Sequence, residues 1–237
     1  MKKTNLCRKE NTSTTIDAVL RRIFFLFLFL RSFFSFAQQK DAVLWVSLNV
    51  EKKFNKHFSG TFFNQYILNQ NLNELGLYFF DVGVNYKYNN NFSASANYRF
   101  SNSRNLDNFY EQRQMIYADV AYAKGFGKFG LNARTRLQRQ YYSGVFNSES
   151  FRVPKNYSRN KLTLRYRYNW YWSAYLAEEI FYRMDKSEIS AWRTSAGIYY
   201  QFNLKNKVEI SYAIQQQDNV ENPRTDFISG INYYYRF

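Results

Sequence analysis

Two residues in this chain have the types and spacing of a nucleophile and its base, His57 and Ser59. Side chains at positions i and i+2 of a β-strand lie on the same face, so the imidazole would stand beside the hydroxyl. A histidine in that position can accept the serine proton and make the oxygen nucleophilic. The pair directly follows a short polar turn, Lys52–Lys56. A histidine that merely flanks this turn is the simpler interpretation, which we favour.

Metal and cofactor chemistry has few candidate residues. His57 is the single histidine and Cys7 the single cysteine in 237 residues. Multi-histidine and cysteine-based metal sites are therefore excluded, as is a disulfide framework. Gly125 and Gly127 mark a turn, because a phosphate-binding loop needs a helix after it. We expect no enzyme activity, no metal and no other cofactor.

A second candidate site consists of charged residues at alternating positions of predicted strands. Its members are Arg99, Arg113, Arg134, Arg136, Arg165, Arg167 and Arg193, with the carboxylates Asp81, Glu111, Asp119 and Glu209. If these side chains line a pore, rings of arginine favour anions. If they interlock as salt bridges, they fill a narrow interior and close it, which we favour in a small barrel.

The order of these arginines along the chain predicts how they meet. Arg134 and Arg136 lie on one predicted strand, and Arg165 and Arg167 lie on the next. We expect these four like charges within cross-strand reach of one another. Because directly opposed like charges are destabilising, carboxylates such as Asp119 on the preceding strand should reach into the group.

Alternation with a period of two dominates the chain after residue 37. In 92–101, Phe92, Ala96 and Tyr98 share one face while Asn97 and Arg99 share the other. Eleven segments follow this rule with varying clarity, which indicates β-strands with unlike faces. The adjacent glutamates at 178 and 179 have no clear face in this pattern. Short polar turns alternate with longer polar loops, which predicts an antiparallel up-and-down meander.

The distribution of aromatic residues decides which face is inside. Tyr, Phe and Trp make up 21% of the chain, and mean hydropathy is −0.57. The apolar faces carry too many rings for the interior of a small barrel, whereas an exterior in contact with lipid accommodates them. We therefore predict an all-β transmembrane barrel of 10–12 strands over residues 38–237. The alternative is a soluble secreted β-protein. Eleven segments conflict with the even strand numbers of bacterial single-chain barrels, so either two strands are merged in one segment or the first segment is not an ordinary wall strand.

Residues 1–37 have the features of a signal peptide. Basic residues precede the apolar run Ile23–Leu30, and small Ser35 and Ala37 precede Gln38. This order is typical of a cleaved export signal. A single membrane anchor is the alternative, but eight uninterrupted apolar residues are too few for a helix that crosses ~30 Å of hydrocarbon.

The C-terminal segment ends in an alternating aromatic strand. Tyr233, Tyr235 and the terminal Phe237 share one face. Such a strand resembles the signal by which the barrel assembly machinery recognises outer-membrane proteins. We expect that machinery as a partner during insertion, and outer-membrane lipid as the surrounding solvent.

Three stretches resemble one known family. They are W-x-S-x-N-x-E-K-K-F-N-K at Trp45–Lys56, the Y-K-Y-N and N-Y-R-F pair at residues 86–100, and R-x-x-x-G-I-Y-Y-Q-F at Arg193–Phe202. These resemble the domain of unknown function 2490 family, regarded as outer-membrane barrels of Gram-negative bacteria. The resemblance covers nearly all of residues 38–237 and implies the same fold and location. The family has no established activity, so the resemblance implies no functional residues.

Three functions remain open at this point. The favoured one is a narrow structural or binding barrel with a charged, largely filled interior. A small anion-favouring porin is the first alternative. A lipid hydrolase that uses His57 and Ser59, similar to outer-membrane lipid A deacylases, is the second. The basic, aromatic composition (net charge +15) would also suit single-stranded nucleic acid, but an export signal argues against that partner.

Overall fold

The computed structural model describes residues 39–104, 109–143, 154–220 and 222–237. The predicted signal peptide 1–37 lies outside these residues. Residues Gln39–Phe237 form one compact unit. The strands are β1 (Gln39–Lys53), β2 (Phe58–Asn69), β3 (Glu74–Lys87), β4 (Phe92–Arg104), β5 (Tyr110–Phe126), β6 (Phe129–Ser143), β7 (Lys155–Arg167), β8 (Trp172–Arg183), β9 (Glu188–Gln201), β10 (Asn206–Gln217) and β11 (Arg224–Arg236). The described residues contain no helix with the length and apolar character of a membrane span.

The eleven strands form a closed barrel in chain order. Each strand pairs antiparallel with the next, as the alternating turns and loops predict. The closing pair differs, because β1 and β11 run parallel from Gln39 opposite Arg224 to Glu51 opposite Arg236. An odd number of up-and-down strands leaves the first and last pointing the same way. The expectation of a wholly antiparallel barrel is therefore wrong at this one pair.

The first strand is an ordinary wall strand. β1 pairs with β2 over Leu44–Lys53 and with β11 over Gln39–Glu51. The eleven alternating segments of the sequence therefore correspond to eleven separate strands, and no segment contains two strands. β1 starts at the end of the barrel where the longer loops lie, and it ends at the end with the short turns.

The two faces of the wall separate apolar from polar side chains as the alternation predicts. On β4, Phe92 and Tyr98 face outward and are 46% and 37% exposed, while Ser101 faces inward and is 7% exposed. The carboxylates Asp81, Glu179 and Glu209 face inward and are 2–4% exposed. The exterior is therefore apolar over the middle of the strands, and the charges lie inside.

Aromatic rings pair across strands on the exterior near the short turns. Ring centroids lie 5.0 Å apart for Phe58 and Tyr86, and 4.8 Å apart for Phe92 and Tyr122. Phe129 with Tyr166 and Trp172 with Tyr200 continue the row at 5.0 and 4.6 Å. Such a row at one end of the apolar band is typical of an interfacial girdle.

Four of the five short turns use the same device. An asparagine side-chain oxygen accepts hydrogen bonds from the backbone N–H groups two and three residues later, at 2.7–2.9 Å. The asparagines are Asn55, Asn89, Asn169 and Asn203. Asparagine suits this position because its short side chain reproduces a backbone turn. The fifth turn instead uses Gly127, whose φ of +60° favours glycine.

Candidate functional site

A single glutamate organises the middle of the barrel interior. Glu179 on β8 is 2% exposed. Its Oε1 accepts hydrogen bonds from Arg134 Nη2 at 2.7 Å and from Arg159 Nε at 3.1 Å. Its Oε2 accepts one from Arg193 Nη1 at 3.3 Å. One carboxylate thus joins guanidinium groups from β6, β7 and β9 across the interior.

A second network lies across β3–β6. Arg99 donates to both carboxylate oxygens of Asp81, at 2.6 and 2.7 Å, and the Tyr117 hydroxyl donates to the same carboxylate at 2.7 Å. Arg136 donates to both oxygens of Asp119, at 2.7 and 2.8 Å. Such bidentate pairs are the strong form of this interaction.

Aromatic rings fill the space between these ion pairs. The guanidinium carbon of Arg136 lies 3.8 Å from the ring centroid of Tyr117, and that of Arg99 lies 3.6 Å from Phe79. These distances are within cation–π range. The rings of Tyr117 and Phe79 thus lie against the arginines inside the barrel.

The side of the interior formed by β8–β11 is a tyrosine-rich layer around Glu209. The Tyr175 hydroxyl donates to Glu209 Oε1 at 2.5 Å, and the Tyr234 hydroxyl donates to Oε2. Lys207 Nζ lies 4.3 and 4.1 Å from the ring centroids of Tyr199 and Tyr234. Gly197 makes room for this layer, because a Cβ there would lie 2.5 Å from Tyr175 Cε1.

The remaining arginines of the predicted site lie nearer the two barrel ends. Arg113 pairs with Glu111 at 2.9 Å and lies 5.3 Å from the Tyr142 ring, towards the long loops. Arg165 lies 5.0 Å from the Tyr199 ring, towards the short turns, and Arg167 ends β7.

The expectation that Arg134 and Arg136 lie beside Arg165 and Arg167 on the next strand is wrong, because β6 and β7 pair in a different register. Arg134 lies opposite Lys161, and Arg136 lies opposite Arg159. Arg165 lies opposite Gly130, four residues from Arg134 along β6. Asp119 nevertheless lies directly opposite Arg136 and binds it.

The sequence matches the profile of a family described as "Protein of unknown function (DUF2490)" over residues 42–226. The chain belongs to this family. The resemblance carried by the motifs at Trp45–Lys56 and Arg193–Phe202 is confirmed. No curated protein matches this DUF2490 chain significantly in sequence.

Two solved structures resemble the DUF2490 barrel at low sequence identity. The anion-selective porin from Comamonas acidovorans is 10% identical with a TM-score of 0.39, and the match covers 76% of this chain. This chain spans about half of the porin, 53% of its length. The β domain of the Bordetella autotransporter BrkA is 12% identical with a TM-score of 0.45, and the match covers 78% of this chain and 86% of that domain.

Sequence reasoning missed the residue at the centre of the DUF2490 interior. The alternation assigns no face to Glu179, because a second glutamate, Glu178, directly precedes it. The neighbours gave no clear signal in the sequence, since Tyr175 and Ala177 share the parity of Glu179 and are apolar, although the structure buries both inside the barrel. Arg159 was also missed, because it lies two residues before the segment where the alternation of β7 becomes clear.

Glu178 lies on the barrel exterior. Its Oε2 accepts a hydrogen bond from the Thr194 hydroxyl on β9 at 2.7 Å. Thr135 and Asn160, 2.9 Å apart, are further polar groups on the exterior of β6 and β7. The outer surface is thus less apolar on this side, and the two consecutive glutamates have opposite surroundings.

His57 and Ser59 have separate hydrogen-bond partners. His57 Nδ1 donates to the Lys87 carbonyl at 2.9 Å, in the exposed turn between β1 and β2. The Ser59 hydroxyl is buried and accepts from Asn85 Nδ2 at 3.5 Å. Over the described ranges, no group of three or more His, Cys, Asp and Glu side chains could hold a metal ion.

Proposed function

We propose that this protein is an outer-membrane β-barrel of a Gram-negative bacterium whose interior is sealed by its own ion pairs. It acts as a structural or binding barrel, without catalytic chemistry, and any ligand meets the loops at the long-loop end. The observation that carries the proposal is Glu179, 2% exposed and bound to three arginines from three strands. A water-filled channel would leave such a carboxylate hydrated.

The exterior supports membrane placement. Apolar side chains such as Leu176 and Ile198 are 51% and 52% exposed on neighbouring strands. Water would penalise so much exposed apolar surface, whereas lipid favours it. A closed barrel also satisfies every backbone group of its wall in lipid.

The C-terminal strand supports the proposed contact with the barrel assembly machinery. Tyr233 and Phe237 face outward and are 39% and 60% exposed, and the Tyr235 and Phe237 rings lie 4.7 Å apart. The aromatic side chains are thus available on the surface of β11 at the end of the chain.

Conductance across a planar lipid bilayer tests the sealed interior. The wild-type protein should show little or no current. Glu179→Gln should open a small leak that favours anions, because three guanidinium groups then lose their common counter-charge. Glu178→Gln is the matched control on the opposite face of the same strand and should stay closed. A large wild-type conductance would refute the sealed interior.

An anion-favouring pore is the second candidate. Basic residues on the interior side near the short turns favour it, among them Arg165, Arg167 and Lys207. If the wild type conducts, the current should prefer anions. A cation-selective current would exclude this function as well.

A further inference from the structure

A shallow groove runs across the exterior from β1 to β5, and its outer end lies near the short turns. Its volume is about 670 Å³. The floor consists of small side chains, Gly60, Val84 and Ala96, which are cross-strand neighbours. The wall on the far side consists of Phe62, Val82 and Tyr98, which form the next exterior row.

The groove is inclined to the barrel end. Lys52 lies one residue from the end of β1, and Gly60 lies two residues from the start of β2. Val84 lies three residues from the end of β3, and Ala96 lies four residues from the start of β4. Each step to the next strand therefore moves the floor one residue further into the apolar band.

The shallow end of the groove has an aromatic cover and a cation. The Phe54 ring lies over Gly60, where an added Cβ would be 3.0 Å from Phe54 Cζ. Lys52 lines the groove beside it. Lys56 lies in the short turn that follows β1, and the nearby carboxylate Glu51 pairs with Arg236 at 2.8 Å.

We propose that this groove binds one acyl chain of an anionic glycerophospholipid, with its phosphate at Lys52. The apolar floor and wall match a hydrocarbon chain that starts at the membrane surface and descends towards its middle. The lysine stands where the headgroup of that chain would lie, so the charge complements a phosphate. The inference rests on the proposed membrane placement but not on the sealed interior.

Native mass spectrometry of the purified protein, released from detergent micelles, measures the binding. The probes are phosphatidylglycerol and phosphatidylcholine with identical chains. One phosphatidylglycerol should be retained in preference to phosphatidylcholine. Lys52→Gln should lower the affinity for phosphatidylglycerol about fivefold, the effect of one basic residue near a membrane surface, and should leave phosphatidylcholine nearly unchanged.

Filling the groove should act on both lipids. Ala96→Phe should reduce retention of phosphatidylglycerol and phosphatidylcholine alike, because the ring occupies the floor. The matched control is Ala174→Phe, an exposed exterior alanine on β8 outside the groove. Lys205→Gln, an exposed lysine in another turn at the same barrel end, is the charge control. Neither control should change binding.

Equal lipid retention by the wild type, Lys52→Gln and Ala96→Phe would overturn the proposed lipid site. A protein that fails to float with lipid vesicles would overturn membrane placement and the lipid site together. A conducting wild type that still shows the Lys52 and Ala96 effects would refute the sealed interior and retain the lipid site.

Discussion

At the scale of single residues, ion pairs join the side chains inside the barrel, and the stability lost when one partner is removed depends on how deeply the pair is buried. Arg136 and Asp119 are 9% and 14% exposed, whereas Arg113 and Glu111 are 30% and 19% exposed. Burial removes the water that would solvate a charge left without its partner. The same chemical pair is therefore far more sensitive to mutation deep in the barrel than near its rim.

Asp119→Asn should lower the free energy of unfolding by about 3–5 kcal/mol, because Arg136 then keeps an uncompensated buried charge. Replacing both residues, Asp119→Leu with Arg136→Met, should cost less than the single change. Urea unfolding in lipid vesicles, followed by tryptophan fluorescence, measures both. Glu111→Gln, in the more exposed pair, should cost about 0–1 kcal/mol. Equal losses for Asp119→Asn and Glu111→Gln would contradict this dependence on burial.

At the scale of elements, the asparagine turns fix where each hairpin reverses. In the turn between β9 and β10, Asn203 Oδ1 accepts from the backbone N–H groups of Lys205 and Asn206 at 2.8 and 2.9 Å. Asn203→Ala removes both bonds and should destabilise the barrel by about 1–2 kcal/mol. Lys205→Ala keeps both backbone donors and should be nearly neutral. The same unfolding assay distinguishes the two variants. An equal effect of both changes would mean that the Asn203 hydrogen bonds do not stabilise the barrel.

Element by element, the sequence predicts strands better than it predicts their register. Period-two patterning located all eleven strands, because an apolar exterior and a polar interior demand it. The sequence did not predict the register between β6 and β7. The long polar loop between them does not specify which residues meet, whereas a two-residue turn would. In the structure Arg134 lies opposite Lys161, whereas the sequence analysis expects it near Arg165.

Glu178 shows a second reason why the sequence does not predict the interior completely. A carboxylate on an otherwise apolar exterior breaks the pattern, so two adjacent glutamates gave contradictory parity. Only the pairing of Glu179 with arginines on three other strands shows which glutamate is inside. Those contacts join residues up to 45 positions apart, a separation that local alternation does not report.

At the scale of the whole molecule, the odd strand number determines how the barrel closes. Barrels with an even number of strands close through an antiparallel pair, and the sequence analysis expects such a barrel. With eleven strands, β1 and β11 instead pair in parallel. Thirteen residue pairs join these strands. The apolar exterior continues across the closure, since Val46 and Ile231 are opposite each other and are 40% and 48% exposed. The closure is therefore part of the wall and not a loose overlap.

Engineered cysteines test that closure directly, in a chain whose single cysteine, Cys7, is replaced by serine. Val46→Cys with Ile231→Cys should form a disulfide on mild oxidation, because neighbouring strands are ~4.8 Å apart and disulfides span Cα distances of about 4.4–6.8 Å. Non-reducing electrophoresis of the folded protein detects the bond as a mobility shift. Val46→Cys with Ser229→Cys places the second thiol two residues out of register on the same face, about 8 Å away, and should stay reduced. Preferential oxidation of this offset pair would mean a different register, and no oxidation of either pair would mean that β1 does not close the barrel against β11.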